Sequence, residues 1–485
     1  MQPSPVPASS WPPACSSLPV SGGGPSVLWT IVKKEMLGHV LSYRFLVTTL
    51  LCFLLTLASV GLLLLDYRSE KENYDASVAL HERDLASAES MTDLEVSGIV
   101  VERRPPPLSS LAKGMDVSAP RSVEFAYRST PRAVGSRYRN PLLFLLPTPD
   151  LVYVVEVIVS LLAVLFMFDA VSGEKERGTL KLLLSNSVPR DLVLIGKYVG
   201  GYVTLLLPLS ASLAAVLLLL HLAPWVDMTR ELWLRTGWIV VVSLLYVSLF
   251  FALGILISAL TKRASTSLIV SLFVWVILVI VMPNIAPLLA AQLSPSPSPE
   301  MVSAEQSSIR RDGWRSMRGL RDSGMSESER DEREAEMREQ VARQQADVEA
   351  FARSRARRNV ALARALGKVS PAAGLVYSAT DLARTGVAAH FAFLEATSAM
   401  EEDVDRYLRG LRDGIDDLAR SDPDLDADAA FAEVFDPEEA PRPRVVGLPL
   451  ADTLRETNMD VLLLAVYNVL FLMGAYVAFM RYDAT

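Results

Sequence analysis

The sequence has almost nothing from which to build reactive chemistry. Its 485 residues include two cysteines, Cys15 and Cys52, and four histidines, His39, His81, His221 and His390. One cysteine lies in a polar tail and the other inside an apolar run, so neither a disulfide framework nor a cysteine metal site can form within one chain. The histidines fall in separate segments, and His81-Glu82-Arg83-Asp84 reads as the solvated surface of a polar helix, so no metal site is expected. There is no H-E-x-x-H and no G-x-S-x-G. A phosphate loop is missing too, because Gly196-Lys197 and Gly367-Lys368 lack both the upstream glycine and the following hydroxyl of G-x-x-x-x-G-K-[ST]. Positive charge is not in excess either: a formal net charge of −8 excludes the basic face of a nucleic-acid binder. Residues 1–26 are dominated by Pro, Ser, Ala and Gly without the basic start, apolar centre and cleavage site of a signal peptide, and are expected to be disordered.

What the chain does have is apolar length. Hydrophobic residues make up 51% of it, yet 21% is charged, so the two characters must be segregated. Six runs are long enough to cross a bilayer as helices, which needs about 20 apolar residues with every backbone group satisfied internally. They cover residues 44–65, 151–168, 198–222, 237–260, 267–289 and 460–480. The expected fold is an all-α polytopic membrane protein with six transmembrane helices and two extracytoplasmic insertions, 66–150 and 290–459, the larger mainly helical. Lys and Arg in short flanks mark the cytoplasmic side. Lys33, Lys34 and Arg44 precede the first run, Lys175, Arg177, Lys181, Arg190 and Lys197 follow the second, Lys262 and Arg263 join the fourth and fifth, and Arg481 follows the last. All share one side if both termini, including the tail 481–485, are cytoplasmic in a multi-pass cell-membrane protein. In the opposite connection Arg230 and Arg235 are balanced by Asp227 and Glu231.

Between residues 27 and 43 apolar residues recur at three and four, with Lys33, Lys34 and Glu35 between them, which predicts an interfacial helix on the cytoplasmic leaflet. The first insertion opens with a helix over 67–86 and continues as a β-favouring, proline-broken part. The second carries a charged helix over 326–366, a break at Ser370-Pro371 and another helical region reaching Leu418. These helices are long enough for an antiparallel hairpin standing off the membrane. The apolar stretch 371–394 can touch the outer leaflet, cover a translocation exit or pack within the lobe.

The most informative stretch is 169–197. A charged segment, Glu174-Lys175-Glu176-Arg177, is followed by Gly178-Thr179, by Leu180, Leu182, Leu183 and Leu184, by the turn Ser187-Val188, and by Pro189-Arg190. Gly178 permits a sharp turn, Thr179 can cap a short helix, and Pro189 suits a first helical turn. This pattern resembles the cytoplasmic loop of type-2 ABC transporter permeases, and the resemblance covers the six-span framework. It implies that the short helix is a coupling helix docking in a groove on a separate ABC ATPase subunit. Glu174, Glu176 and Arg177 would make polar contacts there, and Thr179, Leu180 and Leu183 would fill the groove. ATP and magnesium would then be bound by that partner and not by this chain. The expected partners are the ATPase, a second permease copy or a sister permease, and the lipid bilayer.

Glu156 lies inside the second run, where an ionisable group is costly. It can snorkel, pair with another span or meet substrate. Gly196 and Gly200 form a G-x-x-x-G that permits close helix approach, and Pro208, Pro283 and Pro287 are potential kinks. Three functions compete: an exporting permease, a mechanical transmitter that moves the outer helical lobe without carrying substrate, and a receptor or scaffold with no ATPase.

Overall fold

Every apolar run becomes a helix in the computed structural model, which describes residues 24–117, 122–125, 132–134, 149–185, 189–321, 325–422, 425–442 and 447–482. The tail before residue 24, the Ser187-Val188 turn and the last three residues lie outside the described residues. The six helices long and apolar enough to cross a membrane are α2 (Tyr43–Ala86), α4 (Leu151–Glu176), α6 (Arg190–Leu222), α7 (Arg230–Leu260), α8 (Ala264–Leu293) and α14 (Leu450–Met480). The chain is a membrane-embedded, multi-pass protein. An N-terminal helix α1 (Gly24–Val40) precedes them.

The bundle is built around α7. Its Val242, Tyr246, Val247, Leu249, Phe250, Phe251 and Ile255 are all fully buried, as expected of a helix apolar on every side. Helices α4 and α14 pack on α7, and α6 joins α2 to them. Helices α8 and α14 leave most of their apolar surface exposed, including Phe273, Ile285 and Leu288 on α8 and Leu470 and Met473 on α14. Such surface is suited to lipid. The G-x-x-x-G serves α1: a Cβ on Gly196 would sit 2.6 Å from Ile31 Cγ2, and one on Gly200 would sit 3.1 Å from the Val32 carbonyl. Helix α1 therefore packs directly onto α6.

The 67–86 helix is not separate, since α2 runs unbroken from the span to Ala86. Beyond it come α3 (Met91–Ser97) and a three-stranded antiparallel sheet, β1 (Ile99–Glu102), β2 (Ser122–Phe125) and β3 (Arg132–Val134). Ile99 pairs with Phe125, and Ser122 with Val134. In the second insertion α9 (Pro299–Arg321) and α10 (Glu327–Gly367) form an antiparallel stalk, with Gln345 bonding the Gln306 carbonyl and Asn359 the Ser294 carbonyl. Helix α12 (Val387–Ser421) runs antiparallel to the lower part of α10, where Arg357 meets Glu395 at 3.2 Å, and α13 (Ala427–Val434) follows. The two insertions share one core. Leu94, Ile99, Val101, Val123 and Phe125 from the first pack with Phe393, Val404, Leu408 and Phe431 from the second.

One part of the segment 290–459 packs with the spans. Helix α11 (Pro371–Ala383) is seated inside the bundle, with Ala372, Leu375, Ser378 and Ala379 fully buried against α7 and α14. Just before it, Ser370 Oγ donates to the Leu278 carbonyl at 2.7 Å, and Tyr467 OH donates to the Val369 carbonyl at 3.0 Å. Leu278 lies about 21 Å along α8 from Ala264 at 1.5 Å per residue. The start of α11 thus packs beside the middle of α8. A π-turn at Val276–Val281 helps hold it, because Pro283, five residues beyond Leu278, has no N–H to offer that carbonyl.

Two charged clasps fix α11. Arg235, read from sequence as an exposed loop charge, is fully buried and donates to the carbonyls of Leu382 (3.2 Å) and Leu448 (2.6 Å) and to Thr453 Oγ1 (3.3 Å). On the stalk side Arg364 lies 2.7 Å from Asp381 and 3.0 Å from Asp460, with Lys368 3.4 Å from Asp460. This second cluster ties the foot of α10 to α11 and to the head of α14.

Candidate functional site

The end of α4 carries the charged segment singled out in the sequence. Two of its residues, Lys175 and Glu176, and the backbone just before it bond to other helices. Ser258 Oγ accepts from the backbone N–H of Val171 and of Ser172, each at 3.0 Å, which satisfies two donors at the start of the last helical turns. Lys175 Nζ then donates to the last carbonyls of α7, those of Ala259 and of Thr261 (3.1 Å). Glu176 Oε2 accepts from the Ala264 N–H at 2.9 Å, the first turn of α8. A cation thus meets the negative end of one helix and an anion the positive end of the next, which is the favourable sign at both termini. The α7–α8 connection is gripped from both sides by adjacent side chains.

Glu174 points the other way, toward α6. Its carboxylate lies 2.7 Å from Lys197 Nζ, which also meets Glu35 at 3.1 Å, and Lys197 is only 3% exposed. One buried lysine thereby joins α1, α4 and α6. Arg190, at the head of α6 after Pro189, donates to the carbonyls of Met480 (3.3 Å) and Tyr482 (3.2 Å) at the end of α14. The Tyr482 ring in turn lies 5.0 Å from Lys175 Nζ. Six helices, α1, α4, α6, α7, α8 and α14, meet in this cluster.

What remains outside is a small knob. Gly178 has φ +74°, and nothing lies within 4 Å of the position of an added Cβ. It reverses the chain into α5 (Thr179–Ser185), with Thr179 Oγ1 near the Glu174 carbonyl at 3.4 Å. Arg177, Gly178 and Thr179 are exposed, Leu182 is 71% exposed, and Leu183 is half-buried. Two expectations change here. Leu180, expected to fill a partner's groove, is fully buried in the chain's own core, and Leu182 takes the outward position. Glu174, expected to meet a partner, is engaged by Lys197, whereas Glu176 bonds the start of α8 and stays exposed. The reason is periodicity: α5 begins only at Thr179, so Leu180 faces the bundle while Leu182 falls on the opposite side.

Glu156 does not join this site. It sits half-buried in a π-turn of α4, Val154–Val159, where its backbone carbonyl accepts from Tyr246 OH at 2.8 Å. Nearby, Trp275 Nε1 donates to Ser160 Oγ at 2.9 Å. Among the described residues no group of three metal-ligating side chains converges. From sequence Glu35 was placed only on the polar side of the 27–43 helix, Ser258 had no role, and Lys175 and Lys197 had none beyond topology and the loop motif. A lysine at the head of an otherwise apolar helix was the available signal for the latter. The arrangement is a small exposed projection on a platform bonded to the helix ends.

The comparisons with known proteins agree with this architecture. The model of a family described as ABC-2 family transporter protein matches residues 29–484. The chain is similar to the probable ABC transporter permease protein NosY of Stutzerimonas stutzeri, 32% identical over 125 residues, which is 26% of this chain and 45% of that protein. It is also 34% identical over 119 residues to the NosY of Pseudomonas aeruginosa, across 24% of this chain and 43% of that protein. The aligned region spans less than half the length of these relatives. With the family match running over nearly its whole length, the chain belongs to the ABC-2 transporter permease family.

Proposed function

We propose that this chain is the membrane-spanning subunit of an ATP-driven exporter, coupled to a separate ATPase through the Arg177-Gly178-Thr179 knob and the outward side of α5. ATP and magnesium are held by that ATPase. Two permease subunits, identical or sister chains, assemble with it, and both termini face the cytosol. The supporting observation is the grip of Lys175 and Glu176 on the ends of α7 and α8. A push on the knob cannot be absorbed locally and is passed to the spans. The short loops rich in Lys and Arg set the orientation. Replacing Leu182 with Glu is expected to abolish co-purification of the ATPase while the permease stays inserted. Undiminished co-purification and ATP turnover would remove the docking assignment.

A second reading, the mechanical transmitter, has its own support. Arg364 and Lys368 tether the stalk to Asp460 at the head of α14, so motion of that span is conveyed to α10. Helix α10, 41 residues long, is about 60 Å of continuous lever. Cysteine pairs locking α11 to α14 discriminate the two: export is lost with stalk motion retained if cargo passes the bundle, and both are lost together if the stalk is the output.

A further inference from the structure

Helix α9, packed on α10, and the acidic segment around α13, packed on α12, carry opposite charge. On α9, Arg310, Arg311, Arg315 and Arg318 surround Trp314 and line an open hollow of about 460 Å³. The face is turned outward by Gly313, whose Cβ position is 2.5 Å from Val341 Cγ2 on α10. Trp314 is 64% exposed, and among the described residues Asp312 pairs with this group, through Arg315 at 3.1 Å. A tryptophan left in solvent among guanidinium groups does nothing for the stalk, whereas Trp and Arg dominate the energetics of protein interfaces. The hydrogen bonds from Gln345 to Gln306 and from Asn359 to Ser294 set α9 running away from the bundle, so the patch lies toward the free end.

The complement is in the same sequence. Residues 422–439 contain eight Asp and Glu and no Lys or Arg. Their apolar members turn inward: Ala430 and Phe431 are buried, with Phe431 stacked on Phe435 at 4.7 Å. Asp426, Asp428, Glu433, Asp436, Glu438 and Glu439 are thereby left on the exposed side. Within one chain Phe431 is fixed in the lobe core with Val404 and Leu408, while α9 is fixed on α10.

We propose that the arginine face of α9 docks on the acidic 425–439 segment of a second copy of this chain. The contact rests on the assembly of two permease copies put forward above. Such a pairing is self-complementary, since each copy offers both a basic and an acidic patch, so two contacts close around one two-fold axis. Complementary charge fixes which surfaces meet, and Trp314 supplies the apolar centre. Because the patches are exposed, the contact weakens as salt rises.

The test uses full-length chains carrying two different tags, co-expressed, with Trp314→Cys in one and Glu433→Cys in the other. Disulfide formation between tags is expected, falling about tenfold when Arg310, Arg311 and Arg315 are changed to Glu, or when Asp426, Asp428 and Asp436 are changed to Lys. Combining a basic-reversed copy with an acid-reversed copy is expected to restore it, because Glu then faces Lys. Cross-linking that ignores charge reversal, or that forms only within one chain, overturns the contact. Tagged copies that co-purify without any lobe cross-link would overturn it while leaving the two-copy assembly standing, and failure to co-purify at all would overturn both. Cross-linking of Trp314→Cys to a different acidic protein would overturn it in favour of a foreign partner.

Discussion

Lys197 reaches Glu174 at 2.7 Å from a position that is 3% exposed. A buried charge can be kept only when opposite charge and hydrogen bonds replace the water it has lost, and Glu174 and Glu35 do this together. Replacing Lys197 with Met leaves two carboxylates facing each other without a cation. The expected loss is about 3–5 kcal/mol of stability. The triple variant Glu35→Gln, Glu174→Gln, Lys197→Met should recover most of it. Thermal unfolding in detergent of the single and triple variants checks this, and equal melting temperatures for Lys197→Met and the parent would refute it.

At Gly178 the expected penalty is conformational. Open space surrounds the position, so Gly178→Ala meets no clash, but φ +74° disfavours an L side chain by about 1–2 kcal/mol. Asn tolerates that region better. The order Gly, Asn, Ala is therefore expected in the local stability of α5, read by amide exchange over residues 177–185. An indifferent response to Ala would mean that the turn relaxes freely.

The stalk foot offers a third test. Asp460 is fully buried between Arg364 and Lys368, so Asp460→Ala takes this partner from Lys368 and leaves Arg364 to Asp381 alone. The expected cost is about 3–5 kcal/mol, concentrated at the α10–α14 junction. Exchanging the pair as Arg364→Asp with Asp460→Arg should recover part of it. Limited proteolysis near Lys368 is the readout, and full protection in Asp460→Ala would dismiss the clasp as incidental.

His390 predicts a dependence on acid. Burial, reinforced by the nearby Arg103 charge, holds its imidazole below the usual histidine range, and its Nδ1 lacks a hydrogen-bond partner. A depressed value means that the folded lobe prefers the neutral ring. The stabilisation is full above the ordinary value of 6.5 and is lost as pH falls from there through the folded-state value. His390→Phe should flatten that decline, as followed by unfolding of the lobe between pH 7 and pH 5.

The spans were legible because bilayer thickness sets a length that few soluble helices match. The start of α6 at Arg190 and of α7 at Arg230 lies outside the apolar runs, since helices continue wherever caps such as Thr229 allow, accepting from Leu232 N at 3.3 Å. Helix α11 was beyond reach of hydropathy: its 13 residues are too few to span, and the sequence left the stretch open between outer leaflet, exit and lobe. Only its neighbours on α7, α8 and α14 disclose its place. The charged loop was found from its order of residues, but which face of α5 looks out depended on where that helix begins. Arg235 shows the same limit, because a loop arginine and a buried clasp have identical sequence signatures.

The mingled core of the two insertions has a practical meaning for anyone dissecting this molecule. Phe393 and Phe431 are wrapped by strands encoded some 300 residues earlier, such as that of Ile99, so trimming the early segment strips the later one of its wrapping. Expressed separately, each half would present a greasy flank to water and invite aggregation. A soluble fragment worth studying has to splice both segments together.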